Sequence, residues 1–262
     1  MENKYTQRIS RNKIGRDFVI GDIHANKKRL FKALDSVCFD KTKDRLFSVG
    51  DLIDRGKHNL PILDLLRENW FFAVRGNHEQ MLINRFEFPL TRLPYQVGVS
   101  ETRFGAEEVH ERNGGKWFAR LRSELARTRI YQNLAALPYA IELETNQGVL
   151  GIVHAEVPER FDGWSEFVES LHNDSKTKED SVWNRLAIES VYHAEQGKYW
   201  EAEFTDESRF IEGIDAVVHG HTGVHESVIC GNQVWIDTGQ KTGDLTILRV
   251  EDLLDLVEKK ND

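Results

Sequence analysis

The chain has 262 residues, enough for one large domain or two small ones and for a sizeable buried core. At 40% hydrophobic and 30% charged residues, with 19 Gly and 5 Pro, its composition is globular and excludes collagen, disorder and a disulfide scaffold. Its 43 acidic against 35 basic residues leave a net charge of −8 that no tail concentrates, which disfavours stable binding to a nucleic-acid backbone.

In chain order, residues 1–16 are polar and basic without the apolar stretch of a secretion signal, and no uncharged apolar run later approaches bilayer length. The chain is therefore expected to be neither secreted nor membrane-bound. Three apolar runs of strand length then follow, each ending in Gly and a polar cluster. Phe18-Val19-Ile20 leads into Gly21-Asp22-Ile23-His24; Leu46-Phe47-Ser48-Val49 leads into Gly50-Asp51; Phe71-Phe72-Ala73-Val74 leads into Arg75-Gly76-Asn77-His78-Glu79. Between them Leu30, Phe31, Leu34, Val37 and Cys38, and then Leu60, Leu63 and Leu66, recur at helical spacing, which predicts a βαβαβ unit. Cys38 and Cys230 are the only cysteines, and their mainly apolar surroundings predict two buried thiols in a reducing, cytoplasmic setting. Residues 91–129 read as short helices and loops covering the sheet, broken by Asn113-Gly114-Gly115. Residues 137–143 and 149–153 read as a hairpin around Asn146-Gln147-Gly148. The acidic, aromatic stretch between Trp183 and Ile214 reads as an inserted helical lid, at about 190–213, and strands return at 216–218, 234–236 and 245–250. With no repeat or linker, residues 1–262 are expected to form a single domain.

The polar clusters carry metal-capable groups. Asp22 and His24, two apart at a strand end, point to the same side and make half a cation site. Asp51 and Asn77 each follow a Gly, His154 follows Gly151-Ile152-Val153, and His221 follows Val217-Val218-His219-Gly220. Open α/β sheets bind ligands outside the carboxyl ends of their strands, and five such ends here carry these residues. The set suffices for two metals if Asp51 bridges them, and the absence of thiolates argues against a structural zinc site.

Gly21-Asp22-Ile23-His24, Gly50-Asp51-Leu52-Ile53-Asp54-Arg55-Gly56 and Arg75-Gly76-Asn77-His78-Glu79 resemble the three signature motifs of the phosphoprotein phosphatase family of metallophosphoesterases. The resemblance is closest to its small phage and bacterial branch, typified by the bacteriophage lambda protein phosphatase. It extends through Asn113-Gly114-Gly115 with Trp117, Val182-Trp183-Asn184-Arg185, Gly220-His221-Thr222 and Ile236-Asp237-Thr238-Gly239. It implies an α/β calcineurin-like metallophosphoesterase fold, two β-sheets sandwiched and flanked by helices, with a binuclear centre that hydrolyses phosphate monoesters on proteins. One metal would take Asp22, His24 and Asp51, and the other Asp51, Asn77, His154 and His221. Two departures are Ala25, where the family usually has Gly, and a longer acidic stretch after Arg185.

Two bridged divalent cations, Mn²⁺ before Fe, Zn or Mg, would neutralise the phosphate and supply hydroxide near neutral pH. His78 is the expected general acid and Asp54 the group that orients it; Arg55, Arg75 and Arg185 are the expected phosphate grips. The alternative for Arg55 is a turn-closing pair with Asp54. Glu79 is expected to steady the following helix or a neighbour, His219 to stand behind the ligands, and His58, His110, His172 and His193 to lie on the surface. The expected substrate is a phosphoserine or phosphothreonine protein or peptide, with small phosphate esters also accepted. A dinucleoside polyphosphate hydrolase on the same centre is the runner-up, and a non-catalytic metal- or phosphate-binding module is the remote alternative.

Overall fold

The computed structural model describes residues 4–87, 105–195 and 209–261. After β1 (Thr6–Ile9), its first third alternates as predicted: β2 (Asp17–Ile20), α1 (Lys27–Ser36), β3 (Arg45–Ser48), α2 (Asn59–Leu63), β4 (Phe71–Ala73) and α3 (Asn77–Glu87). Short helices α4 (Ala106–His110), α5 (Lys116–Ala119) and α6 (Glu124–Ala135) lead to the hairpin β5 (Ala140–Glu144) and β6 (Val149–Val153). Helices α7 (Trp164–Asn173), α8 (Ser175–Trp183) and α9 (Leu186–Glu195) follow, then β7 (Ala216–His219), β8 (Val228–Cys230), β9 (Gln233–Trp235), α10 (Gly239–Thr242), β10 (Ile247–Arg249) and α11 (Val250–Asn261).

Two mixed sheets result, ordered β10-β2-β3-β4 and β1-β5-β6-β7-β9-β8. Strand alternation explains how they stack: Val19, Phe47, Val49 and Val74 of the smaller sheet share a core with Ile141, Leu150, Ile152, Val218 and Val234 of the larger one. Their neighbours Phe18, Ile20 and Leu46 face the opposite way, onto α1, α2 and α6 through Leu30, Ile62 and Leu134. Helices α7 and α8 cover the far side of the larger sheet through Trp164, Phe167 and Val182. The helix-flanked sandwich thus matches the expected fold class.

Some expectations need correction. β1 was not predicted: its sequence TQRI is polar, and its burial comes from pairing alongside β5 at the sheet edge. Cys38 is exposed rather than buried, because the chain leaves α1 through a left-handed turn there, at φ 50°. The expected lid overlaps α9, while its centre, with Glu201, Glu203, Asp206 and Glu207, lies outside the described residues. Among the described residues no helix is long and apolar enough to cross a membrane.

Candidate active site

The parallel strands β2, β3 and β4 of one sheet and β6, β7 and β9 of the other end at a common rim. Asp22, Asp51, Asn77, His154 and His221 are all buried there, with His24 at the edge of solvent. Close approach is built into the chain: a Cβ on Gly76 would run into the Asp51 carboxylate. Seven non-glycine residues with left-handed backbone occur among the described residues, and all but Cys38 belong to this rim: His24, Ala25, Asp51, Asp54, Arg55 and His221. Such strain persists where surrounding structure over-determines it, as at functional sites.

Asp51 stands at the centre. Its Oδ1 lies 3.4 Å from His154 Nε2, while Oδ2 lies 3.6 Å from His24 Nε2 and 3.8 Å from His78 Nε2. The inward amide atom of Asn77 is 3.0 Å from His154 Nε2 and 3.2 Å from His221 Nδ1, with both Asp51 oxygens also in reach. With the amide oxygen inward these atoms all present lone pairs, which a cation would hold together; in its absence an inward NH₂ would bridge them. Asp22 Oδ2 and His78 Nε2 are buried without a hydrogen-bond partner. Asp22, Asp51 and His154 present ligand atoms within 4.8 Å of one another, as do His24, Asp51 and His78. The residues therefore fit a divalent-metal centre, with nitrogen and oxygen donors and no sulfur.

Backbone carbonyls fix the imidazoles for such a role. Nδ1–H of His24 meets Ile53 O at 3.2 Å, Nδ1–H of His154 meets Val49 O at 2.8 Å, and Nε2–H of His221 meets Trp183 O at 3.2 Å, leaving the inner nitrogens with lone pairs. Arg185 Nε also sits 3.0 Å from His221 Nε2. That nitrogen cannot both donate to Trp183 and accept from Arg185, and an inward Nδ1 lone pair requires the first. Burial keeps all three rings neutral, with His24 down at about 3. Burial, followed by the charges of Asp237 and Asp51, pushes Asp22 well above the usual carboxylate range. Asp237, at the end of β9, is raised by burial to about 6 and leaves Oδ1 unpaired. Strand-end placement could have singled it out, as it did Asp22.

Beside this cluster, His78 Nδ1 lies 2.8 Å from Asp54 Oδ2. Burial alone would lower the His78 imidazole, but the Asp51 and Asp54 carboxylates outweigh it and hold it above its ordinary value. Asp54 also receives Trp117 Nε1–H at 2.7 Å and faces His110 Nε2 at 3.1 Å. Burial opposes its ionisation, yet the bonds from His110 and His78 hold it at about 2. His110 is thus fully buried, not a surface residue: α4 packs it under the Asp54 turn, a long-range contact without a strand-end signal. His58 and His172 are exposed as expected, and the His193 side chain lies outside the described set.

The three arginines part ways. Arg55 Nη1 is 2.8 Å from His24 Nε2, at the mouth of the cluster, rather than paired with Asp54. Arg185 is exposed at the same mouth. Arg75 does not reach it: Nη1 donates to Gln80 and Tyr139, Nη2 to the carbonyls of Ala135 and Leu137, and the ring of Tyr139 lies under its guanidinium at 4.5 Å. Its two Nη groups are thus occupied by α3, the end of α6 and the chain beyond, while its buried Nε has no hydrogen-bond partner. Glu79 accepts the amide N–H groups of Asp51, Leu52, Ile53 and Gly76, tying two of the strand-end loops together. His219 bonds Val153 O and Gln233 Oε1 and stays out of the cluster.

The calcineurin-like phosphoesterase family model matches residues 18–225, a span that contains every one of these strand ends except that of β9. The chain belongs to the calcineurin-like phosphoesterase family. It is 32% identical to serine/threonine-protein phosphatase 1 of Salmonella typhimurium over 248 residues, 94% of this chain and 96% of that protein. A shorter stretch of 67 residues, 25% of this chain and 23% of the relative, is 39% identical to the symmetrical bis(5'-nucleosyl)-tetraphosphatase of Coxiella burnetii. Among solved structures, a protein serine/threonine phosphatase from Saccharomyces cerevisiae superposes with a TM-score of 0.52 at 14% identity, covering 94% of this chain and 83% of that one, and so speaks to the fold alone.

Proposed function

We propose that this metallophosphoesterase is a serine/threonine protein phosphatase with a binuclear centre. The observation that carries the reading is the convergence of Asp22, His24, Asp51, Asn77, His154 and His221 on one rim, in a chain related over nearly its full length to a bacterial protein phosphatase. Asp22, His24 and Asp51 would hold one cation, and Asp51, Asn77, His154 and His221 the other. When bound, two divalent ions, Mn²⁺ foremost, would neutralise the phosphate dianion and lower the pKa of the attacking water. Arg55 and Arg185 grip phosphate oxygens as forked donors. His78 gives its Nε2 proton to the departing serine or threonine oxygen, while Asp54 holds Nδ1–H and so the ring's orientation. Asp51 accepts the His78 backbone N–H at 3.0 Å, fixing donor and centre relative to each other.

We read the chain as one domain carrying an insertion at about 190–213, supported by the core the two sheets share. A cytoplasmic location accords with an exposed free thiol at Cys38. The runner-up, a dinucleoside polyphosphate hydrolase, draws on the 67-residue match, which covers a quarter of the chain. The deciding experiment compares kcat/KM of the metal-loaded enzyme for phosphoserine peptides, diadenosine tetraphosphate and an aryl phosphate. The peptides should lead the dinucleotide; the reverse order would install the runner-up.

A further inference from the structure

We propose that His110 is a positioning residue for leaving-group protonation, acting through Asp54 on His78; the inference rests on the reading of His78 as the general acid. Asp54 is fully buried, and among the described residues its ion pairs are with imidazoles alone. Three ring N–H groups from three helices converge on it: His78 of α3 on Oδ2, Trp117 of α5 on Oδ1, and His110 of α4 within 3.1 Å of both oxygens. A carboxylate can turn about its last bond; donors on both edges stop that rotation with Oδ2 toward His78.

The intervening chain is shaped to deliver this imidazole. Residues Glu111–Gly115 make the kink that joins α4 to α5, with Gly114 left-handed at φ 107°. A Cβ on Gly114 would strike the backbone of Arg55, and one on Gly115 would enter the His110 ring. Asn113-Gly114-Gly115 thus lets the α4–α5 corner approach the Asp54-Arg55 turn, itself held at φ 70° and 60°. His110 Nδ1 is buried with no hydrogen-bond partner, a cost that an apolar residue of the same shape would not incur. Packing alone therefore does not account for a histidine here.

The test uses metal-loaded enzyme and two aryl phosphates, phenyl phosphate with a poor leaving group and p-nitrophenyl phosphate with a good one. His110→Phe keeps a ring against Phe118 and Gly115 but removes the donor; His110→Met also removes the donor, with a more adaptable side chain, should the Phe variant not fold. Loss of the donor should lower kcat on phenyl phosphate about 10–100-fold, the usual effect of removing an outer partner, with a distinctly smaller drop on p-nitrophenyl phosphate and KM unchanged. His110→Gln, whose Nε2 can stand in for that of the imidazole, should restore most of the loss. His78→Asn, measured alongside, should show the same leaving-group dependence more strongly. If His78→Asn slows both substrates equally, the general-acid reading itself fails. If His78→Asn discriminates while the His110 donor-less variants slow both equally, or neither, the role of His110 is overturned.

Discussion

Arg75 and Arg185 carry the same charge and the same sequence expectation, yet their surroundings differ. Arg75 is buried and its two Nη groups donate to Gln80, Tyr139 and the carbonyls of Ala135 and Leu137. Arg75→Met should therefore cost stability on the order of 3 kcal/mol, read as a lowered melting temperature, with KM of the folded enzyme near wild type. Arg185→Ala should leave the melting temperature alone and lower kcat/KM about 10–100-fold, as expected for a lost charged hydrogen bond of about 1.5–3 kcal/mol. His78→Asn should lower kcat by about 10²–10⁴ while retaining the metals. Its Nε2 also lies within ligand distance of the His24–Asp51 group, so loss of a metal in that variant would make it a ligand instead. The strand-end residues were legible in the sequence because each closes an apolar run. The direction of Arg75 was not, since it depends on where α6 ends, 60 residues on, and His110 and Trp117 reach Asp54 only through tertiary packing.

At the scale of elements, the strands bracketing Asp22, Asp51 and Asn77 could be read almost to the residue, because turns and glycines punctuate them. β1 could not, being a polar edge strand, and α7 and α11 carry no motif that would mark them. Helix α9 carries its own test. Glu156 accepts the Ala187 and Ile188 amides at its first turn while fully buried, and burial raises its carboxyl to about 7 against those bonds. Arg209 pulls it down and Glu159 pushes it up, more weakly. An unfolded glutamic acid titrates near ~4.3, so between there and about 7 the folded chain binds the extra proton. The stability this group contributes is full below the lower value and lost as pH rises through the upper one. Glu79, also raised by burial to about 7, acts in the same window. Melting temperature in chelator should fall from pH 5 to pH 7.5, and Glu156→Gln should flatten the fall without abolishing it; an unchanged slope would show that Glu156 stays ionised throughout.

For the molecule as a whole, the decisive feature is that two sheets stacked through one core bring their carboxyl strand ends to a single rim. Each sheet alone holds only part of the donor set: Asp22, Asp51 and Asn77 come from one, His154 and His221 from the other. Asp51 faces both groups, with one oxygen toward His154 and the other toward His24. His24→Ala should accordingly empty mainly one site. The most direct measurement is elemental analysis of Mn²⁺-loaded, desalted protein, wild type against Asp51→Asn, with circular dichroism to confirm that both are folded. A shared carboxylate predicts close to two metal ions per chain in the wild type and loss of both together in the variant. One ion per wild-type chain, or a folded Asp51→Asn protein that keeps both, would contradict the binuclear account.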